Sequence, residues 1–371
     1  MLTNVLSDMI YDATKLEKEQ VSPSAPLILS LFCGPGGLDE GFWQAGYQTV
    51  LAADINRASV TTHQYNHEIR GCVSEVLDLA TTDASDLIRL WRNQTDRAPS
   101  GIIGGPPCQS FSRSNCSKKE DDPRNQLLCH YARLISGINA EFGLDFFVFE
   151  NVPELNKFSH KDHYIRFKEN CEEAGFHVNE QLLDTADFGV PQHRVRLFIV
   201  GINKRRLPDA IFKWPLGNHI KVKAKDVLDG LPDPAQFRRK LKVDDIPHHP
   251  NHWCMKPRSK RFQDGTLVPG ECKGRSLRVL DWEKPSWTVA YGHREVHVHP
   301  NCQRRLSVYE AMLLQGFPKE YQLLGTLSEQ ITQVSEAVSP PIAEAIAKAI
   351  TACVGYLSHT RAKNGNQPSS V

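Results

Sequence analysis

The sequence contains no cysteine pair spaced Cys-x-x-Cys, although ten cysteines are scattered through its 371 residues. Such pairs are typical of zinc sites and redox motifs, so neither is indicated. No apolar run approaches the roughly 18 residues that cross a membrane. Residues 1–26 also lack the basic segment and apolar core of a secretory signal. We therefore expect reduced thiols in a cytoplasmic protein that has no membrane segment.

Lys and Arg are fewer than Asp and Glu in most of the chain, but they outnumber them in one segment. Hydrophobic residues make up 40% and charged residues 23%, which is typical of a soluble globular protein of one large or two smaller domains. Residues 202–278 contain 18 Lys and Arg against 8 Asp and Glu, whereas the remainder contains 26 against 35. This net charge of +10 beside −9 predicts a surface for a polyanion, although a solvated charged insertion would have the same composition.

A strand, a glycine turn and a helix follow one another near the start of the chain. The apolar run 27–31 precedes Phe32, Gly34 and Gly36, and a helix is predicted through Ala45. Glycines allow a ligand close to the backbone, and the helix N-terminus offers free amides. No phosphate-binding lysine follows the turn, so the pattern lacks a phosphate-binding signature; together with the two acids described next, it favours a nucleoside-containing cofactor.

Two acidic residues end the next two predicted strands. Asp54 follows an apolar strand about 20 residues after the turn, where an acid can accept hydrogen bonds from ribose hydroxyls. Asp78, followed by Leu79, ends a third apolar stretch and could accept from an adenine amine. Either acid could equally be a simple cap of its strand.

A cysteine and a glutamate follow two further predicted strands. Ile102 and Ile103 lead through two glycines and two prolines to Cys108, which the loop places where open α/β sheets bind ligands. A small buried cysteine is the alternative interpretation. Residues 112–125 are predicted to form a mobile loop, and residues 126–138 a helix. The buried strand 146–149 ends at Glu150, which would lie near Cys108 if the two strands are neighbours.

Two arginines alternate on the last strand of this half. Arg194 and Arg196 are two residues apart and should share one face, where their burial requires anionic or polar partners. A helix is predicted over residues 163–174. Alternating strands and helices up to residue 201 indicate a doubly wound sheet. From Ile202 the periodicity disappears, which marks a domain boundary.

The basic segment contains a histidine-rich stretch, residues 248–254. No second Cys or His cluster accompanies it, so no metal site is predicted, and contacts to nucleic acid or plain loop structure are favoured. Beyond it, residues 280–296 include a strand-like run. Ser307 and Glu310 form a capping box that opens a helix. An apolar helix is predicted over residues 342–357, before a polar tail that we expect to be disordered.

The ordered motifs in this sequence resemble those of the DNA cytosine-5 methyltransferases, especially the small bacterial modification enzymes. Each motif is modest alone, but five occur in the family's order across residues 27–350. They are Phe-x-Gly-x-Gly at 32–36, Pro-Cys-Gln at 107–109, Glu-Asn-Val at 150–152, Gln-x-Arg-x-Arg at 192–196, and the late motif ending Gln-Gly-Phe-Pro at 304–318.

The resemblance implies a Rossmann-like S-adenosylmethionine-dependent methyltransferase sheet with a smaller, irregular target recognition domain. It divides the chain into an N-terminal arm (1–26), a catalytic and cofactor-binding domain (27–201), a basic target recognition domain (202–278), a return to the catalytic domain (279–357) and a disordered tail (358–371). The expected partner is double-stranded DNA, with a restriction endonuclease as a functional companion, and the expected state is a monomer.

The resemblance also implies roles for residues. Cys108 would attack carbon 6 of a flipped cytosine, Glu150 would supply a proton at N3, and Arg196 would contact the base oxygen. Arg194 would help to order this site, and Gln109 would lie near the gap that the flipped base leaves. The residues expected to line the S-adenosylmethionine site, which needs no metal, are Phe32, Gly34, Gly36, Asp54, Asp78, Leu79, Pro106, Leu127, Glu336 and Val338.

One departure from the family pattern concerns the cofactor. Glu336 stands where the family's last motif usually has asparagine, and its charge could pair with the amino group of the cofactor or repel its carboxylate. Three other interpretations stay open. They are an RNA methyltransferase of the same fold, a DNA-binding protein without turnover, and a nicotinamide-dependent oxidoreductase suggested by the glycine turn alone.

Overall fold

A computed structural model describes residues 22–107, 126–156, 161–218, 220–238, 241–272, 277–288 and 297–364 of the chain. Its centre is a seven-stranded sheet. The strands, in chain order, are β1 (Leu27–Leu31), β2 (Gln48–Asp54), β3 (Val73–Val76), β4 (Gly101–Gly104), β5 (Phe146–Asn151), β6 (Phe176–Asp184) and, after a two-residue strand β7 (Gln192–His193) outside this sheet, β8 (Val195–Asn203).

The spatial order of the sheet is β3-β2-β1-β4-β5-β8-β6. The strands from β3 to β5 pair in parallel, whereas β8 runs antiparallel to both β5 and β6. The order reverses at β1, whose neighbours are β2 and β4, so a crevice opens there at the carboxyl ends of the strands. The predicted doubly wound, Rossmann-like sheet is confirmed.

Helices cover both faces of the sheet because its strands are apolar on both sides. Leu29 and Phe147 face α4 (Gln126–Phe142) among the residues of one core, which α3 (Ala84–Arg92) and α5 (Lys161–Glu173) complete. Ile28 and Phe146 face the other core, formed with α1 (Gly37–Gln44) and α9 (Pro340–Asn364). Side chains that alternate along a strand thus enter two different cores. A short helix, α2 (Arg57–His67), connects β2 to β3.

The helix α9 is longer than the predicted 342–357, since it runs from Pro340 to Asn364 and enters the stretch expected to be a disordered tail. By length and composition alone, the stretch Leu327–Gly355 could cross a membrane, but half of its apolar window is buried inside the protein. Ile342, Ile346 and Ile350 are each at most 1% exposed against the sheet. Those apolar residues therefore serve the core of this fold.

The segment after β8 forms short elements around a small core. They are α6 (Ala224–Leu228), β9 (Ala235–Gln236), β10 (Trp253–Cys254), β11 (Arg278–Val279), β12 (Ser286–Trp287), β13 (His297–Val298), α7 (Val308–Leu314) and α8 (Leu327–Glu336). Trp253 of the basic segment packs with Met312, Phe317 and Tyr321 of the late motifs. The basic segment and the late motifs therefore share one hydrophobic cluster.

Three local features differ from the sequence-based expectation. Phe212 and Trp214, which lie beyond the predicted boundary at residue 202, pack on the core between the sheet and α9. The strand-like run 280–296 pairs only at Ser286–Trp287 among its described residues. The strand β6 was not predicted, because as an edge strand it exposes Glu180, Gln181 and Leu182 and lacks a clear apolar alternation.

Candidate active site

The predicted site residues gather at one edge of the sheet. Phe32, Asp54 and Glu150 stand at or directly after the carboxyl ends of β1, β2 and β5, and Pro106 follows β4. Because β8 is antiparallel, it begins at this edge and brings Arg196 next to β5. Five segments distant in sequence therefore meet beside the reversal in strand order, where a sheet of this kind binds its ligand.

The glycine turn after β1 is held by Asp54. Gly34 and Gly36 have φ angles of +55° and +96°, a conformation that side chains rarely adopt. One carboxylate oxygen of Asp54 accepts a hydrogen bond from the Gly34 N–H at 3.0 Å, and the other accepts from the Asn56 N–H at 2.8 Å. Burial raises the pKa of Asp54, and these backbone donors oppose that rise. Asp54 thus shapes the turn and keeps lone pairs for a ligand hydroxyl.

The residues predicted to meet an adenine ring differ in exposure. Phe32 is half-buried, with a φ of +54°, and its ring packs edge-on against Tyr131 at 5.8 Å. Asp78 is exposed and caps its own turn by accepting from the Ala80 N–H at 3.0 Å. Leu79 is only 2% exposed and packs in the core, so its side chain is not open to a ligand.

The proline loop after β4 is fixed against β5. The side-chain amide of Asn151 donates to the Pro106 carbonyl at 3.1 Å, and a Cβ atom added at Gly105 would lie 3.1 Å from a Glu150 carboxylate oxygen. The sequence places Asn151 beside Glu150 in a motif but does not indicate that it anchors the proline loop. Cys108, Gln109 and the predicted mobile loop 112–125 lie outside the described residues.

An ion pair joins Glu150 to Arg196. The Nε atom of Arg196 lies 3.1 Å from a carboxylate oxygen of Glu150, and the two side chains are 16% and 11% exposed. Burial raises the pKa of Glu150, and the positive charges of Arg196 and then Arg194 oppose the rise. The pair therefore combines a carboxyl group that can hold a proton with a cation that can stabilise negative charge.

Arg194 is the more deeply buried of the two arginines, at 2% exposure. It lies between β7 and β8 rather than inside a strand, and it donates to the backbone carbonyls of Ser335 and Ala337 at 2.9 and 3.1 Å. The polar partners expected from sequence are therefore present for both arginines. Arg194 ties the segment after α8 to the start of β8.

That segment lies directly on the glycine turn. A Cβ atom added at Gly37 would lie 2.1 Å from the Val338 carbonyl oxygen, so only glycine permits this approach. Glu336 is still exposed in part to solvent. Its pKa is raised, first by partial burial and then by the negative charge of Asp54, whereas the positive charge of Arg194 opposes the rise. Glu336 and Asp54 thus place two acidic groups at one side of the turn. Leu127, at the start of α4, is half-buried.

Most of the histidine-rich stretch 248–254 packs inside the protein, although His248 is exposed. His252 bonds to the Ser307 hydroxyl at 3.0 Å and to the Pro232 carbonyl at 2.7 Å, and His249 stacks on Tyr309 at 4.1 Å. Within the described part of the chain, no group of three or more His, Cys, Asp or Glu side chains could hold a metal ion. Of the two favoured interpretations, the contacts support loop structure.

Comparisons with known proteins agree with this geometry. Residues 27–352 match the family model described as C-5 cytosine-specific DNA methylase. The chain is similar to Type II methyltransferase M.FnuDI of Fusobacterium nucleatum (29% identical, 87% of this chain and 93% of the relative). It is also similar to M.MthTI of Methanothermobacter thermautotrophicus (30% identical, 87% and 96%). A solved structure described as a prophage-encoded DNA modification methyltransferase of E. coli has the same fold (TM-score 0.73, 24% identity, 89% and 100%).

Proposed function

The chain belongs to the C-5 cytosine-specific DNA methylase family, and from this premise we propose that it methylates carbon 5 of a cytosine within a short sequence of double-stranded DNA. The observation that carries the proposal is the pair of Glu150 and Arg196 at 3.1 Å, beside the anchored Pro106 carbonyl. Residue 108 follows Pro106 by two peptide links, so chain connectivity keeps the two Cα atoms within about 7 Å. We therefore propose that Cys108, Glu150 and Arg196 act together on one base.

The proposed reaction begins with the Cys108 thiolate, which adds to carbon 6 of the cytosine. Glu150 delivers a proton to N3, and its raised pKa favours the protonated form that this step needs. Arg196 binds the base oxygen, where negative charge develops. Arg194 orders these groups, and Gln109 is assigned to the gap that the flipped base leaves. Carbon 5 takes the methyl group as the sulfur–methyl bond breaks. Loss of the carbon 5 proton, elimination of the Cys108 thiolate and return of the N3 proton to Glu150 then restore the ring.

S-adenosylmethionine, the cofactor of this methyltransferase family, would supply the methyl group. The turn at Gly34 fits this cofactor, because no side chain covers the glycine backbone there. Asp54, which accepts from the Gly34 N–H, keeps free lone pairs beside the turn. We assign the nucleoside to Phe32, Asp54 and Asp78, and the methionine end to Glu336 and Val338. The remaining lining residues are Gly34, Gly36, Leu79, Pro106 and Leu127. No metal has a part in this proposal.

The basic segment 202–278 is proposed to bind the DNA. Its net charge of +10 suits phosphates, whereas the rest of the chain carries −9. A stacked cytosine is out of reach of Cys108 and Glu150, so the proposal includes flipping of the target base. We further propose that the protein acts as a monomer in the cytoplasm and protects sites that a companion restriction endonuclease cuts, as the Type II names of its relatives suggest.

The decisive experiment is base-resolution methylation sequencing of plasmid DNA from a host without its own cytosine methylation. Cells would express either the chain or its Cys108→Ser variant. We expect methylated cytosines in one short recurring context, absent with the variant. If the soluble protein binds DNA but leaves every cytosine unmodified, the DNA methylation proposal fails, and the same measurement on RNA tests a methyltransferase of that substrate class.

A further inference from the structure

A chain of buried polar side chains lies directly beneath the glycine turn. Tyr321 donates its hydroxyl hydrogen to the Pro35 carbonyl within the turn. His67 Nε2 lies 3.2 Å from the Tyr321 hydroxyl, and the His67 Nδ1 atom lies 3.3 Å from Arg70. Arg70 in turn pairs with Glu40 at 2.5 Å. None of these printed contacts is made to Glu150 or Arg196, the two described residues to which the proposed reaction assigns roles at the base.

The direction of every hydrogen bond in this chain is fixed by its two ends. Arg70 can only donate, so it donates to His67 Nδ1, and the Pro35 carbonyl can only accept. His67 must therefore carry its hydrogen on Nε2 and donate it to the Tyr321 oxygen. Burial, followed by the charges of His63 and Arg70, lowers the pKa of His67 well below its ordinary value. The neutral ring that this requires is thus the favoured form.

The glycine turn packs closely against these side chains. A Cβ atom added at Gly36 would lie 2.5 Å from the Tyr321 hydroxyl oxygen and 2.7 Å from His67 Nε2. His67 is itself held by stacking on His63 at 4.4 Å, and His63 bonds to the Ser74 hydroxyl at 2.8 Å. A small movement of either the tyrosine or the histidine would therefore move the turn.

Tyr321 belongs to a different part of the protein from the turn that it contacts. It is 286 residues from Pro35 in sequence, and it packs with Trp253, Met312 and Phe317 in the cluster shared by the basic segment and the late motifs. We propose that Tyr321 and His67 are positioning residues, which fix the Pro35 carbonyl so that the turn keeps the shape that binds the nucleoside of S-adenosylmethionine. This inference rests on the proposed cofactor site.

The test is the affinity of the full chain for S-adenosylhomocysteine, measured by isothermal titration calorimetry. Tyr321→Phe removes one hydroxyl and no carbon atom. We expect its dissociation constant to rise about fivefold, or about 1 kcal/mol. The KM for S-adenosylmethionine should rise by a similar factor, while kcat at saturating cofactor stays within about twofold of wild type. The matched control is Tyr164→Phe, which also loses a tyrosine hydroxyl bond, to Glu180 at the far edge of the sheet.

A second pair of variants decides the matter if Tyr321→Phe fails to fold. His67→Gln retains a donor for the Tyr321 oxygen and should bind nearly as well as wild type, whereas His67→Leu should bind as weakly as Tyr321→Phe. The inference fails if the two His67 variants bind with equal affinity, or if Tyr321→Phe binds as well as Tyr164→Phe. Either result leaves the proposed cofactor site intact. Failure of the wild-type chain to bind S-adenosylhomocysteine overturns the proposed cofactor site instead.

Discussion

Replacing Arg196 by methionine removes the charge that faces Glu150 and keeps a side chain of similar length. The pair is mostly shielded, with 16% and 11% of the two side chains exposed and 3.1 Å between the charged groups. Breaking a buried pair costs about 3–5 kcal/mol because one charge stays buried and unpaired. Since Arg194 still acts on Glu150, we expect the lower end of that range, about 3 kcal/mol, in the free energy of unfolding at pH 8.

The loss should shrink as the pH falls. Burial raises the folded-state pKa of Glu150, and the substitution removes the main opposing charge. A carboxyl group with a raised folded-state pKa contributes stability while it is protonated and loses it as the pH rises through that pKa. The difference between Arg196→Met and wild type should therefore be small at pH 5 and large at pH 8. Urea denaturation across this range measures it.

Two controls separate this explanation from simple loss of packing. Arg89→Met breaks an exposed pair with Asp86, whose side chains are 72% and 45% exposed, and should change stability by less than about 1 kcal/mol at every pH. Adding Glu150→Gln to Arg196→Met removes the stranded charge and should recover most of the stability. A destabilisation of Arg196→Met that is equal at pH 5 and pH 8 would refute the electrostatic reasoning.

Three further substitutions test the surroundings of the site. Gly37→Ala should destabilise the protein by about 1–3 kcal/mol in thermal unfolding, because the new methyl group meets a backbone carbonyl at 2.1 Å. Asn151→Ala leaves the Pro106 carbonyl without its donor and should lower kcat by about tenfold, in methyl-transfer assays, as the loop loosens. Glu336→Asn removes an acid beside Asp54 and should tighten S-adenosylhomocysteine binding by up to about fivefold in calorimetry.

Each of these has an outcome that contradicts it. Gly355→Ala, on a helix with nothing within 4 Å of the new atom, is the control for Gly37→Ala, and equal stability of the two would show that the approach of the carbonyl is not tight. An unchanged kcat for Asn151→Ala would mean that the loop needs no anchor. Weaker binding by Glu336→Asn would mean that this acid pairs with the cofactor rather than repelling it.

Local sequence patterns predicted the parts of the fold that each sit in one continuous segment. The apolar runs that form β1, β2, β4 and β5 are buried on both faces, so their composition alone marks them as central strands. The Ser307–Glu310 capping box is present as predicted, with the two residues bonded to each other's backbone N–H groups. The acids and glycines that end these strands could therefore be assigned to one edge of the sheet from sequence alone.

Contacts between distant segments could not be predicted in the same way. Nothing local in the sequence indicates that β8 runs antiparallel, yet this reversal is what brings Arg196 to Glu150. The bonds from Arg194 to the carbonyls of Ser335 and Ala337 span more than 140 residues. Such contacts depend on how the elements pack. Every residue has a backbone carbonyl, so the sequence does not indicate which carbonyls will accept a hydrogen bond from a given arginine.

The position of α9 has a consequence for how the protein is made. On one face of the sheet, Ile28, Val148 and Phe198 share a core with Leu38 and Phe42 of α1 and with Ile342 and Ile346 of this late helix. During synthesis on the ribosome, the strands emerge long before α9, so the part of this face that α9 covers stays open to water and to chaperones until α9 has been translated. A product that ends before α9 would display this apolar surface, which favours aggregation and capture by chaperones.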